Sequence, residues 1–278
     1  MKRIITLALC AGAVLSGTAL AGPADYVYTP TVEQGEKEVD FKFGSAKLPS
    51  GDASRVASLG LGYGATEYWF TEVYLKTEHE GATPRLNILE WENKFQLTES
   101  GKYPLDVGLI TEFEFPVNRQ GAANEFKFGP LFQTEFGKLQ LNGNLLFERK
   151  FGGDADPDDA PNTTVFQYQW QAKYRWKEAF EFGLQGLGEL GEWNHWAPHD
   201  AQEHKLGPAI FGKISLGGLQ ALRYNAAWLI GTTSATPDNT FRMQLEYESA
   251  DLPDKTVLVL VIPGLRLRFL PTLATHGN

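Results

Sequence analysis

The sequence has one cysteine in 278 residues, Cys10, and no apolar run long enough to cross a membrane as a helix. A helical span needs about 20 consecutive apolar residues, so any membrane passage must be made by strands. Cys10 lies in the N-terminal apolar segment behind Leu9, where a lipidated cysteine would want a small residue. Past that segment there is no thiol, which excludes disulfide bridges, thiolate metal sites and a cysteine nucleophile. Basic residues are in deficit too: 25 Lys and Arg stand against 34 Asp and Glu, a formal net charge of -9. Such a chain repels a polyanion, and nucleic acid is not expected as a partner.

What is present begins with an export signal. Lys2 and Arg3 precede the apolar stretch Ile4 to Leu20, and Ala19-Leu20-Ala21 has the small-x-small form of a cleavage site. Residues 1–21 are therefore expected to be removed after Ala21, leaving a chain that starts at Gly22.

The rest alternates with a period close to two. From Val165 to Trp176 the residues Phe166, Tyr168, Trp170, Ala172, Tyr174 and Trp176 alternate with Gln167, Gln169, Gln171, Lys173 and Arg175. A strand points those two sets to opposite faces, whereas a helix would mix them. Leu105–Phe115, Glu125–Phe136 and Phe241–Glu248 repeat the pattern, and weaker versions lie near 38–47, 54–65, 68–77, 86–97, 139–149, 179–190, 205–216 and 219–231. This gives about twelve strands, with fourteen as the alternative count, and bacterial single-chain barrels have even numbers.

Short turns such as Phe136-Gly137-Lys138 and Gly217-Gly218 alternate with longer polar loops such as 118–124, 151–164 and 193–203. That asymmetry predicts an all-β, transmembrane, antiparallel up-and-down barrel over residues 22–248, with short periplasmic turns and longer outer loops. The aromatic weight of the apolar faces fits membrane-interface girdles better than a sandwich core. Residues 249–278 form a C-terminal extension. Its Gly264, Leu267 and Phe269 have the spacing read by barrel-assembly machinery, although residues 270–278 follow them.

The charged faces then line the lumen, and the solute-binding candidates are Glu112, Glu114, Glu125, Lys127, Gln167, Gln169, Gln171, Lys173, Arg175, Arg223 and Arg242. Such groups must pair or stay hydrated, which predicts either a wet pore or a salt-bridged plug. Three of the five histidines, His195, His199 and His204, crowd one loop, and Asp154 to Asp159 makes another loop acidic. Neither has the fixed ligand spacing of a metal site, so no metal and no cofactor is expected. No catalytic residue is expected either, because a lipid hydrolase needs a serine or threonine beside a histidine on neighbouring strands, and the histidines fall in loops or the tail. Gly60-Leu61-Gly62-Tyr63-Gly64 has no following helix or lysine of a phosphate loop and reads as strand and turn.

At Leu59-Gly60-Leu61-Gly62-Tyr63-Gly64-Ala65-Thr66-Glu67-Tyr68-Trp69, then Glu90-Trp91-Glu92-Asn93 and Phe241–Glu248, the chain resembles a proteobacterial family of outer-membrane transporters. That family carries the label of the MetA pathway of phenol degradation. The resemblance implies a barrel that passes or binds small compounds, hydrophobic or aromatic ones among them, and brings no catalytic residue with it. The chain is thus expected to be an outer-membrane channel or uptake protein. Its expected partners are membrane lipid and lipopolysaccharide, the assembly machinery and a small solute. A non-conducting structural or surface-interaction barrel and a barrel-embedded lipid hydrolase are the alternatives.

Overall fold

The computed structural model describes residues 22–83, 85–118, 122–153 and 163–249, together with the backbone pairs 261–262 and 265–266. The strands are β1 Lys37–Lys47, β2 Ala53–Gly64, β3 Trp69–Glu80, β4 Leu86–Gln96, β5 Asp106–Pro116, β6 Asn124–Phe136, β7 Leu139–Phe151, β8 Thr164–Lys177, β9 Phe180–Glu192, β10 His195–Trp196, β11 Glu203–Gly217, β12 Gln220–Gly231 and β13 Asn239–Ser249. β10 is a two-residue flap on the end of β9. The other twelve pair antiparallel with their neighbours in chain order, and β13 pairs with β1 from Asn239↔Lys47 to Ser249↔Lys37. The sheet is therefore a closed twelve-stranded barrel without open edges.

Period-two patterning fixes which face turns inward, because a one-residue slip would send every apolar side chain into the lumen. On β8, Gln167, Gln169 and Gln171 are buried, while Tyr174 and Trp176 are exposed on the outer surface. At about 3.3 Å per residue and a tilt of about 40°, the outward run from Phe166 to Trp176 rises on the order of 25 Å, the height of a lipid-facing band. A chain of ring contacts crosses this surface near the long loops. Trp91 meets Phe113 at 5.8 Å, Phe113 meets Phe126 at 4.6 Å, Phe128 meets Phe147 at 5.5 Å, and Phe166 meets Trp196 of the flap at 6.1 Å.

At the other end the connections tighten. β6 and β7 are joined through Gly137, whose φ of 62° is a left-handed conformation that suits glycine. The exception is the nine-residue-scale link from Leu97 to Leu105 between β4 and β5, in which the Asp106 carboxylate accepts from the Gly101 N–H at 2.9 Å.

The signal segment, the loop Asp154–Asp159 and most of the C-terminal extension lie outside the described residues. Within that extension, β14 Val261–Ile262 pairs with β15 Leu265–Arg266 in a ladder separate from the barrel sheet.

Candidate functional site

The barrel is threaded by its own chain. Residues 22–36 precede β1 and run inside the lumen, from Gly22 and Pro23 beside the loop end to Glu33 and Glu36 at the turn end. Their contacts are with the wall. Tyr26 donates to Glu92 at 3.0 Å, Tyr28 donates to Glu112 at 2.8 Å, and the Val32 N–H donates to Gln96 at 2.8 Å. Asn144 of β7, with its amide oriented to satisfy both ends, accepts from the Tyr28 N–H at 2.8 Å and donates to the Tyr28 carbonyl at 3.3 Å. Tyr28 also packs on an apolar patch of Ile110, Leu131 and Leu146, all of them fully buried.

Lumen-facing glycines make room for the segment. A Cβ on Gly44 would overlap the backbone of Pro23, one on Gly64 would overlap the Glu33 carbonyl, and one on Gly108 would press on Pro30. Below Tyr26 the fit is closed by Lys42, whose ammonium lies 3.8 Å from the Tyr26 ring and 3.7 Å from the Tyr74 ring. Tyr74 in turn donates to Asp40 at 2.8 Å. Burial, and after it the charge of Glu112, holds the Tyr28 phenol well above its ordinary pKa, so it remains a protonated donor. Burial and then Glu92 do the same for Tyr26.

All eleven lumen candidates face inward, in four groups. Glu112 pairs with Lys127 at 3.0 Å, Glu114 with Lys76 at 2.6 Å, and Glu125 with Lys150 at 3.4 Å. Gln167, Gln169 and Gln171 belong to an amide network on β6 to β9. In it Gln167 donates to Glu148 at 3.0 Å and Gln171 donates to Asn142 at 3.0 Å, with Gln169 buried between them on the same face of β8. Lys173 and Arg175 converge on Glu181 at 3.2 and 3.5 Å, and Arg175 also holds Glu135 at 2.7 Å. Arg223 pairs with Glu246 and Glu248, whereas the three guanidinium nitrogens of Arg242 are buried without a hydrogen-bond partner among the described residues.

Two lumen cavities with no lining residue in common flank the segment. One of about 280 Å³ at the loop end is lined by Lys76, Glu114, Lys127 and His79 among others. One of about 390 Å³ at the turn end has Glu36, Glu38, Glu72 and Glu92 on one side and Lys173, Arg175, Lys213 and Arg223 on the other.

Reading the sequence alone missed residues 22–36, Asp40, Lys42 and Tyr74. The expectation that the histidines keep to loops or the tail is corrected for three of them, one being His195 in the short β10. β3 continues to Glu80 and takes in His79, and β11 begins at Glu203 and takes in His204. Both strands extend beyond the apolar alternation because backbone pairing persists into the loop end. The His204 ring lies 2.8 Å from the Tyr168 hydroxyl and 2.9 Å from the Gln202 side-chain carbonyl, on the outer face of the wall.

No family model and no curated protein matches the chain. Solved structures do. An outer membrane channel from Pseudomonas putida is 12% identical, with a TM-score of 0.54 over 81% of this chain and 98% of that one. The NanC porin is 10% identical, with a TM-score of 0.50 over 78% of this chain and 100% of that one. At such identities the likeness is one of fold. The chain has a porin-like outer-membrane β-barrel fold.

Proposed function

We propose that the protein is an outer-membrane channel or uptake protein for small solutes whose path is set by its own N-terminal segment. The observation that carries this is the threaded lumen: a charged interior holding two cavities, one toward each end of a segment bonded to the wall. The apolar exterior and the fold shared with channel proteins support the same reading.

Membrane lipid and lipopolysaccharide then contact the outer face, the assembly machinery inserts the barrel, and the expected signal peptide ends at Ala21. Solute contact is assigned to the eleven inward-facing candidates, with the carboxylate-rich walls favouring cations and neutral polar compounds. The resemblance to the phenol-degradation label adds hydrophobic and aromatic compounds to the solute class.

A second reading has a specific observation behind it. Tyr26, Tyr28 and Lys42 close the waist tightly enough for a non-conducting barrel that works through its loops. Refolded protein in a planar bilayer under a KCl gradient separates the two. The channel reading expects discrete current steps with a cation-preferring reversal potential. A folded, heat-modifiable barrel that passes no current would replace it with the second reading.

A further inference from the structure

Among the described residues, two groups of three carboxylates converge inside the barrel, and lysines match them unequally. Glu90, Glu112 and Glu114 bring one oxygen each within 4.8 Å of one another, and so do Glu38, Asp40 and Glu72. In the first group Lys76 lies 2.6 Å from Glu114 and 3.8 Å from Glu90, and Lys127 lies 3.0 Å from Glu112. In the second, Lys42 approaches Asp40 Oδ2 at 3.6 Å and is shared with two aromatic rings.

The second group is also short of donors. Asp40 Oδ2 accepts from Tyr74 and from Gln244, at 2.8 and 3.0 Å. Asp40 Oδ1 and Glu72 Oε1 are buried with no hydrogen-bond partner among the described residues, and their residues are 0% and 3% exposed. Buried carboxylate oxygens without donors are the condition a cation relieves.

The backbone holds this space open. Gly62 of β2 pairs with Glu38 on one side and Glu72 on the other, and Gly60 pairs with Asp40 and Tyr74. A Cβ on Gly60 would run into Glu72 Oε1 and the Tyr74 ring, and one on Gly62 into the Phe70 ring. These glycines let carboxylates from β1 and β3 meet across the strand between them, which accounts for Gly60-Leu61-Gly62 as a strand feature. Glu38 and Glu72 line the turn-end cavity, so the site opens to water.

We propose that Glu38, Asp40 and Glu72 bind a hard divalent cation of the calcium type, entering from the turn-end cavity and completing its shell with water. Carboxylate oxygens without nitrogen or sulfur donors select calcium or magnesium over zinc or copper. Calcium, with its longer bonds and looser geometry, suits three carboxylates on two strands better than magnesium does. A bound ion would tie β1 to β3 and, through Asp40, brace the Tyr74, Lys42 and Tyr26 contacts.

The test uses refolded full-length barrel stripped with chelator and titrated with terbium(III), whose luminescence nearby Tyr26 and Tyr74 sensitise. The expected result is one saturable equivalent displaced by calcium at lower concentration than by magnesium. Glu72→Gln and Glu38→Gln should each weaken it by about tenfold or more. Glu114→Gln, in the lysine-matched group, should leave it unchanged. Heat-modifiable migration checks that each variant folds, and either glutamine variant alone suffices. Absence of a saturable signal in the wild type, unchanged affinity in the folded glutamine variants, or equal displacement by magnesium would overturn the assignment.

Discussion

The Tyr28 hydroxyl donates to Glu112 of β5 at 2.8 Å, across 84 positions of sequence, from inside the barrel that Glu112 helps to build. Glu112 also holds Lys127 at 3.0 Å, so one carboxylate joins the threaded segment to the ion-paired wall. Much of the lumen's polar lining is thus bonded within the wall or to the N-terminal residues, with Arg242, Asp40 Oδ1 and Glu72 Oε1 as exceptions among the described residues.

Replacing Tyr28 with Phe removes that donor and keeps the ring on Ile110, Leu131 and Leu146. A buried hydrogen bond to a charged group contributes about 1.5–3 kcal/mol, and urea unfolding of the refolded barrel should show a loss of that size. The pH dependence has a definite sign. The phenol is raised above its ordinary value by burial and then by Glu112, so its contribution is full below about pH 10 and is lost only as pH rises through the higher folded value. A stability difference between wild type and Tyr28→Phe that vanished below pH 8 would contradict this.

Lys127→Met leaves Glu112 and Glu148 facing each other without the ammonium that lies 3.0 and 3.6 Å from them. Removing one partner of a buried ion pair costs about 3–5 kcal/mol, read as a shift in unfolding midpoint. Adding Glu112→Gln to the same chain should recover part of the loss in a double-mutant cycle.

Gly44→Val puts a side chain where the Pro23 backbone passes. The wall cannot yield there without breaking its ladder, so the segment should move. Limited proteolysis should then cut within residues 22–36 in the variant at protease levels that leave wild type intact. Equal protection in both would show that the segment is not held against Gly44.

Leu145 faces outward near the middle of β7 and is 42% exposed. Leu145→Arg places a charge in the lipid-facing band, at a cost of about 2–4 kcal/mol near the bilayer midplane. Folding yield into liposomes should fall accordingly, and an unchanged yield would mean that this face does not meet lipid.

The wall of the barrel was legible because each strand carries its own local signature. The alternation of Gln167, Gln169 and Gln171 with Trp170 and Tyr174 needs no distant partner to be read. The threaded segment was not legible, because it has no period and its bonds reach 66, 84 and 64 positions along the chain. Its trace in the sequence is indirect: Gly44, Gly64 and Gly108 fall on the inward phase of their strands, where a water-filled pore has no need of glycine. The Lys42 contacts with Tyr26 and Tyr74 were hidden for the same reason, since two of the three residues look like ordinary strand positions.

The most direct measurement of the central claim is single-channel current from the full-length barrel beside a chain lacking residues 23–33, both refolded in detergent and inserted in a planar bilayer. If the segment sets the path, the shortened chain gives clearly larger conductance steps than the full-length one. Identical currents from two folded barrels would contradict the account, because the lumen would then conduct without regard to the residues threaded through it.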